Sequence, residues 1–140
     1  MTSFELGAPG VVICCLAAGA VPAKAIIAER HTAGSSGQAI SSAAFGYPFE
    51  GEASGDRIVT VATAIAAANP GEIALAQTIG AGNRADVERL VAPVRAAIAP
   101  LTVREDFHNN RGTGIASLSA AVVAGASIII LPALMRSATS

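Results

Sequence analysis

The chain has 140 residues, a formal net charge of −1, and 52% hydrophobic against 14% charged residues. This length suits one domain, and a net charge near zero without a basic cluster argues against a nucleic-acid or anionic-membrane partner. So few charges are unusual for an isolated small domain and are typical of the interior of something larger.

The cysteine content and the apolar runs bear on the compartment. Cys14 and Cys15 are adjacent, which strains a bridge between them, and no third cysteine is present. A disulfide framework is therefore excluded and a reducing compartment is favoured. The apolar run from Val11 to Val21 falls short of the roughly 20 residues of a membrane span and lacks the basic flank of a signal peptide. We expect a soluble, cytoplasmic protein without a membrane partner.

Apolar runs of strand length alternate with segments of helical periodicity along the whole chain. The predicted strands are Val11–Leu16, Gln38–Ala43, Glu72–Gln77, Leu101–Phe107 and Ser127–Leu131. The predicted helices are Ala23–His31, Asp56–Ala68, Arg84–Ala99 and Gly114–Ala124. This alternation is the signature of βα units that build a parallel sheet.

Two helices carry features that the structure can test. In the third, Asn83 is a candidate N-cap with Asp86 in the first turn. Pro93 inside the same helix predicts a kink or a restart, since proline cannot donate the backbone hydrogen bond. In the fourth helix, Ile115, Leu118 and Val122 fall on one face.

Asp106 and His108 form the strongest candidate site. They are two residues apart at the end of the fourth strand, so their side chains leave the same face. The carboxyl end of a parallel strand is where α/β proteins place their chemistry, and a carboxylate with an imidazole suits a divalent metal. The alternative is that Asp106 caps a loop and His108 makes one hydrogen bond, because two ligands alone do not make a metal site.

Three segments of the chain resemble, in order, the motifs of one enzyme family. Residues 106–116, DFHNNRGTGIA, resemble a His-x-His-Asn/Asp-Thr-x-Gly-x-Gly-x-Ala motif. Residues 40–52, ISSAAFGYPFEGE, resemble Ser-x-x-Phe-Gly-Cys-Pro-Phe/Tyr-Glu-Gly, and residues 72–82, EIALAQTIGAG, resemble Glu-Ile-x-Leu-x-Asp-Thr-Ile-Gly-x-Gly. These motifs belong to hydroxymethylglutaryl-CoA lyase, a member of the metal-dependent pyruvate carboxyltransferase-like superfamily of TIM barrels. The resemblance extends from about residue 38 to about residue 125.

The resemblance implies an α/β fold, with residues 1–140 forming a partial (half) TIM barrel of about five parallel strands. A closed barrel needs eight strands, so the chain would correspond to the C-terminal half of the lyase barrel, from about the fourth strand to the eighth. Such a half exposes two edges and its inner face, so we expect either self-association or a missing N-terminal half as partner. The alternative architecture is a small open doubly wound α/β sheet, which the same alternation supports.

The resemblance also implies chemistry, namely cleavage of a 3-hydroxy-3-methylglutaryl thioester, an acyl-CoA, to acetyl-CoA and acetoacetate. The divalent metal, Mg²⁺ or Mn²⁺, would be held by His108 and by Asp106, which stands where the family motif has its first histidine. Arg111 is the candidate catalytic residue for an anionic substrate group, with a loop salt bridge as the alternative. The backbone of Gly80 and Gly82 is the candidate contact for a CoA phosphate, with a flexible turn as the alternative.

The chain departs from the family pattern at several positions. Gln77 replaces the catalytic Asp, and a neutral amide cannot act as a base. Tyr47 replaces a Cys, and the Asn ligand and Gly-rich loop that follow the last strand in the family have no counterpart. The alternative function is therefore a truncated or degenerate, non-catalytic relative that acts as a self-associating or partner-binding module. His31 near a helix end, and Glu50 with Glu52 in a loop, are weaker candidates that solvent exposure explains as well.

Overall fold

The helices and strands alternate along the chain as the sequence predicts. The computed structural model describes residues 11–15, 21–34, 37–42, 44–46, 54–77, 82–108 and 114–130. The strands are β1 (Val11–Cys15), β2 (Gln38–Ser42), β3 (Glu72–Gln77), β4 (Thr102–Phe107) and β5 (Ile128–Ile130). The helices are α1 (Val21–Thr32), α2 (Gly55–Ala66), α3 (Arg84–Ile98) and α4 (Gly114–Ala124). All nine predicted elements are confirmed, with ends that differ by at most two residues.

The five strands form one parallel sheet in the order β1-β2-β3-β4-β5. Residues of all four helices, among them Ile27, Ile65, Val91 and Ala121, share one apolar core with one face of the sheet. Because right-handed crossovers that always advance in one direction put every helix on the same face, this is the winding of a barrel. The partial TIM barrel is confirmed, and the doubly wound alternative is wrong because the strand order never reverses.

The pairing of β3 with β4 defines the two faces of the sheet. Val103 and Phe107 are paired with Ile73 and Gln77, and they point toward the helices in the apolar core. The intervening residues Arg104 and Asp106 are paired with Ala74 and Ala76 on the opposite, inner face. In a barrel that inner face is the packed interior, and Asp106 lies near its carboxyl-terminal end, where barrels carry their sites.

Helix α3 begins at a capping box and continues past its proline. The Asn83 side chain accepts hydrogen bonds from the backbone N–H groups of Ala85 and Asp86, and the Asp86 carboxylate accepts one from the Asn83 N–H. The helix is unbroken at Pro93, so the predicted restart is wrong. Pro93 and Arg89, whose carbonyl loses its helical partner, are both exposed, and water can satisfy that carbonyl.

Helix α4 packs through its small residues. Gly114, Ser117, Ala120 and Ala121 are buried, whereas Ile115 is 68% and Val122 is 58% exposed. Of the predicted stripe of large apolar residues, only Leu118 is partly buried against the core, while Ile115 and Val122 are largely exposed. Among the described residues, no helix is long and apolar enough to cross a membrane.

Candidate functional site

Strand β4 brings Asp106 and His108 to the carboxyl end of the sheet. Asp106 points to the inner face, and His108 directly follows the strand two positions later. Both side chains are partly buried. The Asp106 Oδ1 atom is buried and has no hydrogen-bond partner among the described residues. An unsatisfied carboxylate oxygen of this kind calls for a donor or a cation, because leaving it bare costs free energy.

The neighbours of Asp106 in the sheet are apolar. The strand registers place Ala76 on one side and Ile130 on the other. Neither side chain can donate a hydrogen bond. The register partners of Asp106 on the adjacent strands therefore offer its buried oxygen no side-chain donor.

Asp106 and His108 fit a hard divalent cation as two of its ligands, but the described part of the chain does not complete the set. No group of three His, Cys, Asp or Glu side chains in the described ranges could hold a metal ion. A carboxylate and an imidazole are competent ligands for Mn²⁺ or Mg²⁺, which fill their remaining positions with water, substrate or further protein oxygens. The oxygen and nitrogen ligands of Asp106 and His108 thus suit such a cation, but the described residues supply fewer ligands than a metal site needs.

One layer below Asp106, an ion pair crosses the inner face. The Arg104 Nη1 atom lies 2.5 Å from Glu72 Oε1, and the two side chains are only 13% and 9% exposed. The contact is an ion pair rather than an aligned hydrogen bond, since Glu72 Oε1 and Arg104 Nε both lack a hydrogen-bond partner among the described residues. The sequence analysis missed this pair, although the period-2 pattern of β4 already puts Arg104 on the face of Asp106.

Glu105 is a buried carboxyl on the opposite face of β4. It is 0% exposed, and Leu75 and Ile129 are its register partners. Neither of its oxygens has a hydrogen-bond partner in the described structure. Desolvation by this burial raises the pKa of the Glu105 carboxyl well above its usual range. The sequence analysis missed Glu105 as well, and the signal was its place between the apolar positions Val103 and Phe107.

Gln77 ties the end of β3 to the start of the segment before α3. It is 1% exposed, and its Nε2 donates a hydrogen bond to the Gly82 carbonyl. A Cβ atom at Gly82 would lie 2.7 Å from Gln77 Nε2 and 2.8 Å from Phe45 Cβ. Close packing thus explains the glycine at position 82, and its contact with a CoA phosphate stays a prediction. Gln77 pairs with Phe107 in register, so it lies on the face away from Asp106.

Most of the remaining predicted positions fall outside the part of the chain that the structure describes. Gly80, Arg111, Tyr47, and the pair Glu50 and Glu52 lie outside the described residues. His31 is exposed in the last turn of α1, as expected for a solvated histidine.

Comparison with known proteins agrees with the resemblance seen in the sequence. The chain is 29% identical over 91 residues to the hydroxymethylglutaryl-CoA lyase of Bacillus subtilis, covering 65% of this chain and 30% of the relative. It is 38% identical over 79 residues to the (R)-citramalyl-CoA lyase of Chloroflexus aurantiacus, covering 56% of this chain and 25% of the relative. The chain therefore spans about a quarter to a third of the length of these curated relatives.

Solved structures show the same fold. The Bacillus subtilis lyase superimposes with a TM-score of 0.77 at 22% identity, over 85% of this chain and 44% of that one. A lyase from Acinetobacter baumannii, in complex with coenzyme A and 3-methylmalate, superimposes with a TM-score of 0.67 at 29% identity, over 73% of this chain and 33% of that one. The sequence model of the HMGL-like family matches residues 20–130. Because that match covers most of the chain, this protein belongs to the HMGL-like family.

Proposed function

We propose that this chain carries part of the active site of a divalent-metal-dependent carbon–carbon lyase acting on an acyl-CoA. The substrate class is a 3-hydroxy-3-methylglutaryl thioester, cleaved to acetyl-CoA and acetoacetate. The observation that carries the proposal is that Asp106 and His108 both lie at the carboxyl end of β4. The Asp106 Oδ1 atom there is buried and has no hydrogen-bond partner among the described residues. The lyase names of the curated relatives support the reaction class.

In this proposal Asp106 and His108 hold the metal, which could be Mg²⁺ or Mn²⁺. When bound, such a cation polarises the hydroxyl and carboxylate oxygens of a substrate. Asp106 supplies a carboxylate with one buried oxygen, where water weakens the attraction to a cation less than at the surface. His108 adds a neutral nitrogen ligand, which leaves part of the cation's charge for the substrate.

The acyl-CoA partner and the remaining site residues belong to the same proposal. The Acinetobacter baumannii relative was crystallised with coenzyme A, which supports a CoA thioester as substrate. Arg111 would face an anionic group of the substrate, and the backbone at Gly80 and Gly82 would meet a phosphate. A cytoplasmic location stays a prediction from the cysteine content.

A second function has specific support, namely that of a non-catalytic relative that binds a partner. Gln77 occupies the position of the family's catalytic Asp, and its amide is committed to the Gly82 carbonyl. An amide side chain that makes this hydrogen bond has a structural role and cannot act as a catalytic base. Together with the incomplete ligand set in the described ranges, this favours a chain that keeps the fold without turnover.

Calorimetric titration with Mn²⁺ tests the lyase proposal, with His108→Ala as the variant and His31→Ala as the matched control. His31 is exposed and distant in sequence from β4, so its loss should not matter. We expect binding that weakens at least about tenfold in His108→Ala, the effect of losing one direct ligand. Binding that is equal in both variants would refute the site, and Mn²⁺ binding that a 3-hydroxy-3-methylglutaryl thioester does not strengthen would favour the non-catalytic function.

A further inference from the structure

Two phenylalanine rings bring the segment after β2 into contact with the end of β4. Phe45, which lies shortly after β2, is 8% exposed, and Phe107, the last residue of β4, is 0% exposed. Their ring centroids are 6.2 Å apart with the ring planes at 49°, a separation at which aromatic pairs attract each other. The segment between β2 and α2 is therefore packed against the strand that carries the candidate metal ligands.

Gln77 and Gly82 complete a closed set of contacts with these two rings. Gln77 donates a hydrogen bond from Nε2 to the Gly82 carbonyl and is paired with Phe107 in the sheet. Gly82 in turn lies against Phe45, because a Cβ atom at position 82 would be 2.8 Å from Phe45 Cβ and 3.0 Å from Phe45 Cδ1. We call Phe45, Gln77, Gly82 and Phe107 the carboxyl-end cluster. It joins the segments after β2 and β3 to the end of β4.

The carboxyl-end cluster holds the residue that lies between the two candidate metal ligands. Phe107 is flanked in sequence by Asp106 and His108. Its side chain points toward the helices, whereas that of Asp106 points to the inner face. The directions of both flanking side chains depend on how the backbone of residues 106–108 is rotated about the strand axis. A ring of Phe107 that is fixed by packing restricts this rotation.

We propose that Phe45 is a positioning residue for Asp106 and His108, and that it acts through the ring of Phe107. A metal site needs its ligands within about 0.5 Å of the productive geometry, held by neighbours whose own conformations are locked by packing or hydrogen bonds. The Asp106 Oδ1 atom has no hydrogen-bond partner among the described residues, so no such bond fixes it. Packing of Phe45 on the other side of the strand supplies a restraint in its place.

This inference rests on the proposed metal site, so one arm of its test needs no metal. The chain has two histidines, and NMR of the full chain at one pH reads the imidazole Cε1–H signals of His31 and His108. Phe45→Leu removes the aromatic ring beside Phe107. We expect it to shift the His108 signal and to leave that of His31, which is exposed in the last turn of α1. An unmoved His108 signal would overturn the proposal.

The second arm measures Mn²⁺ affinity by calorimetry at a temperature at which every variant is folded. We expect binding about tenfold weaker in Phe45→Leu, the effect of losing the support of a metal ligand, and unchanged binding in Ile65→Val. Ile65 is also buried, but it lies in the last turn of α2, which runs back to the amino end of the sheet. Equal affinities in the two variants would reduce Phe45 to an ordinary core residue and overturn the proposal.

A double-mutant cycle tests whether Phe45 acts through Phe107. Phe107→Leu should also weaken Mn²⁺ binding, and the double variant should lose little more than either single one, since both changes remove the same contact. Losses that add would overturn this route, and Phe45→Met takes the place of Phe45→Leu if the latter does not fold. A wild-type chain that binds no Mn²⁺ would overturn the proposed metal site, and the His108 signal would then decide the role of Phe45 by itself.

Discussion

The buried carboxyl of Glu105 should make the stability of this protein fall as the pH rises. Glu105 is 0% exposed and neither oxygen is hydrogen-bonded in the described structure, so burial raises the pKa of its carboxyl well above the usual range. An exposed glutamate in the unfolded chain has a pKa of about 4.3. Above that pH the unfolded chain has lost this proton while the folded chain retains it, so the folded state binds more protons.

Proton linkage gives the sign and the size of this change in the free energy of unfolding with pH. The stabilisation is complete below the unfolded pKa and is lost as the pH climbs toward the folded pKa, at about 1.4 kcal/mol per pH unit. Glu105→Gln removes the titration while keeping the shape, and Glu105→Leu removes the polar atoms as well. The difference in the free energy of unfolding between wild type and variant cancels the contributions of the titratable groups that both proteins share.

Urea unfolding at several pH values from 5 upward gives the free energies to compare. We expect the wild type to lose about 1.4 kcal/mol per unit relative to either variant until the folded pKa is reached. At neutral pH the leucine variant should be the more stable protein, by about 1 to 3 kcal/mol, because it has no unsatisfied polar atoms to bury. A flat difference between wild type and Glu105→Gln, or one that rises with pH, would refute this account of Glu105.

Three further substitutions test the packing by the midpoint of urea unfolding. Gly82→Ala should cost about 1 to 3 kcal/mol, because its Cβ would lie 2.7 Å from the Gln77 amide nitrogen; an unchanged midpoint would mean that the loop shifts freely. Glu72→Gln should cost about 3 kcal/mol by leaving the Arg104 guanidinium unpaired at 13% exposure, and Glu72→Gln with Arg104→Met should recover much of it. Asn83→Ala should cost about 1 kcal/mol by removing the side-chain cap of α3. A smaller loss would show that the hydrogen bond from the backbone N–H of residue 83 to Asp86 is enough to cap the helix.

The architecture was predictable because it depends on short-range patterns. Apolar runs bounded by Gly and Pro define the strands, and the capping box at Asn83 and Asp86 defines the start of α3. Alternation in β4 also sorts its residues between two faces, and the predicted strand end puts Asp106 at the carboxyl end of the sheet. Pro93 shows where a local rule fails, since tertiary packing of the apolar side of α3 holds the helix through its proline.

The polar interior was not predictable in the same way. The partnership of Glu72 with Arg104 joins residues on different strands, and only the register of β3 with β4 brings them together. Alternation with Val103 and Phe107 puts Glu105 on the helix side of β4, but its complete burial depends on how closely the helices pack there. The apolar stripe of α4 misleads for a related reason, because the core selects the small residues Ser117, Ala120 and Ala121 and leaves Ile115 outside.

Two residues on the inner face of β4 differ in what they contact, since Arg104 is in an ion pair and Asp106 has an unsatisfied oxygen. Arg104 lies two residues before Asp106, so both side chains share a face and are about 7 Å apart along the strand. A free guanidinium so close to Asp106 would compete with a cation for the carboxylate. Glu72 engages that guanidinium instead, and Asp106 keeps an unsatisfied oxygen at the carboxyl end of the strand. The ion pair therefore does more than join β3 to β4, because it keeps the Arg104 guanidinium away from Asp106, as the proposed metal site at the carboxyl end of the strand requires.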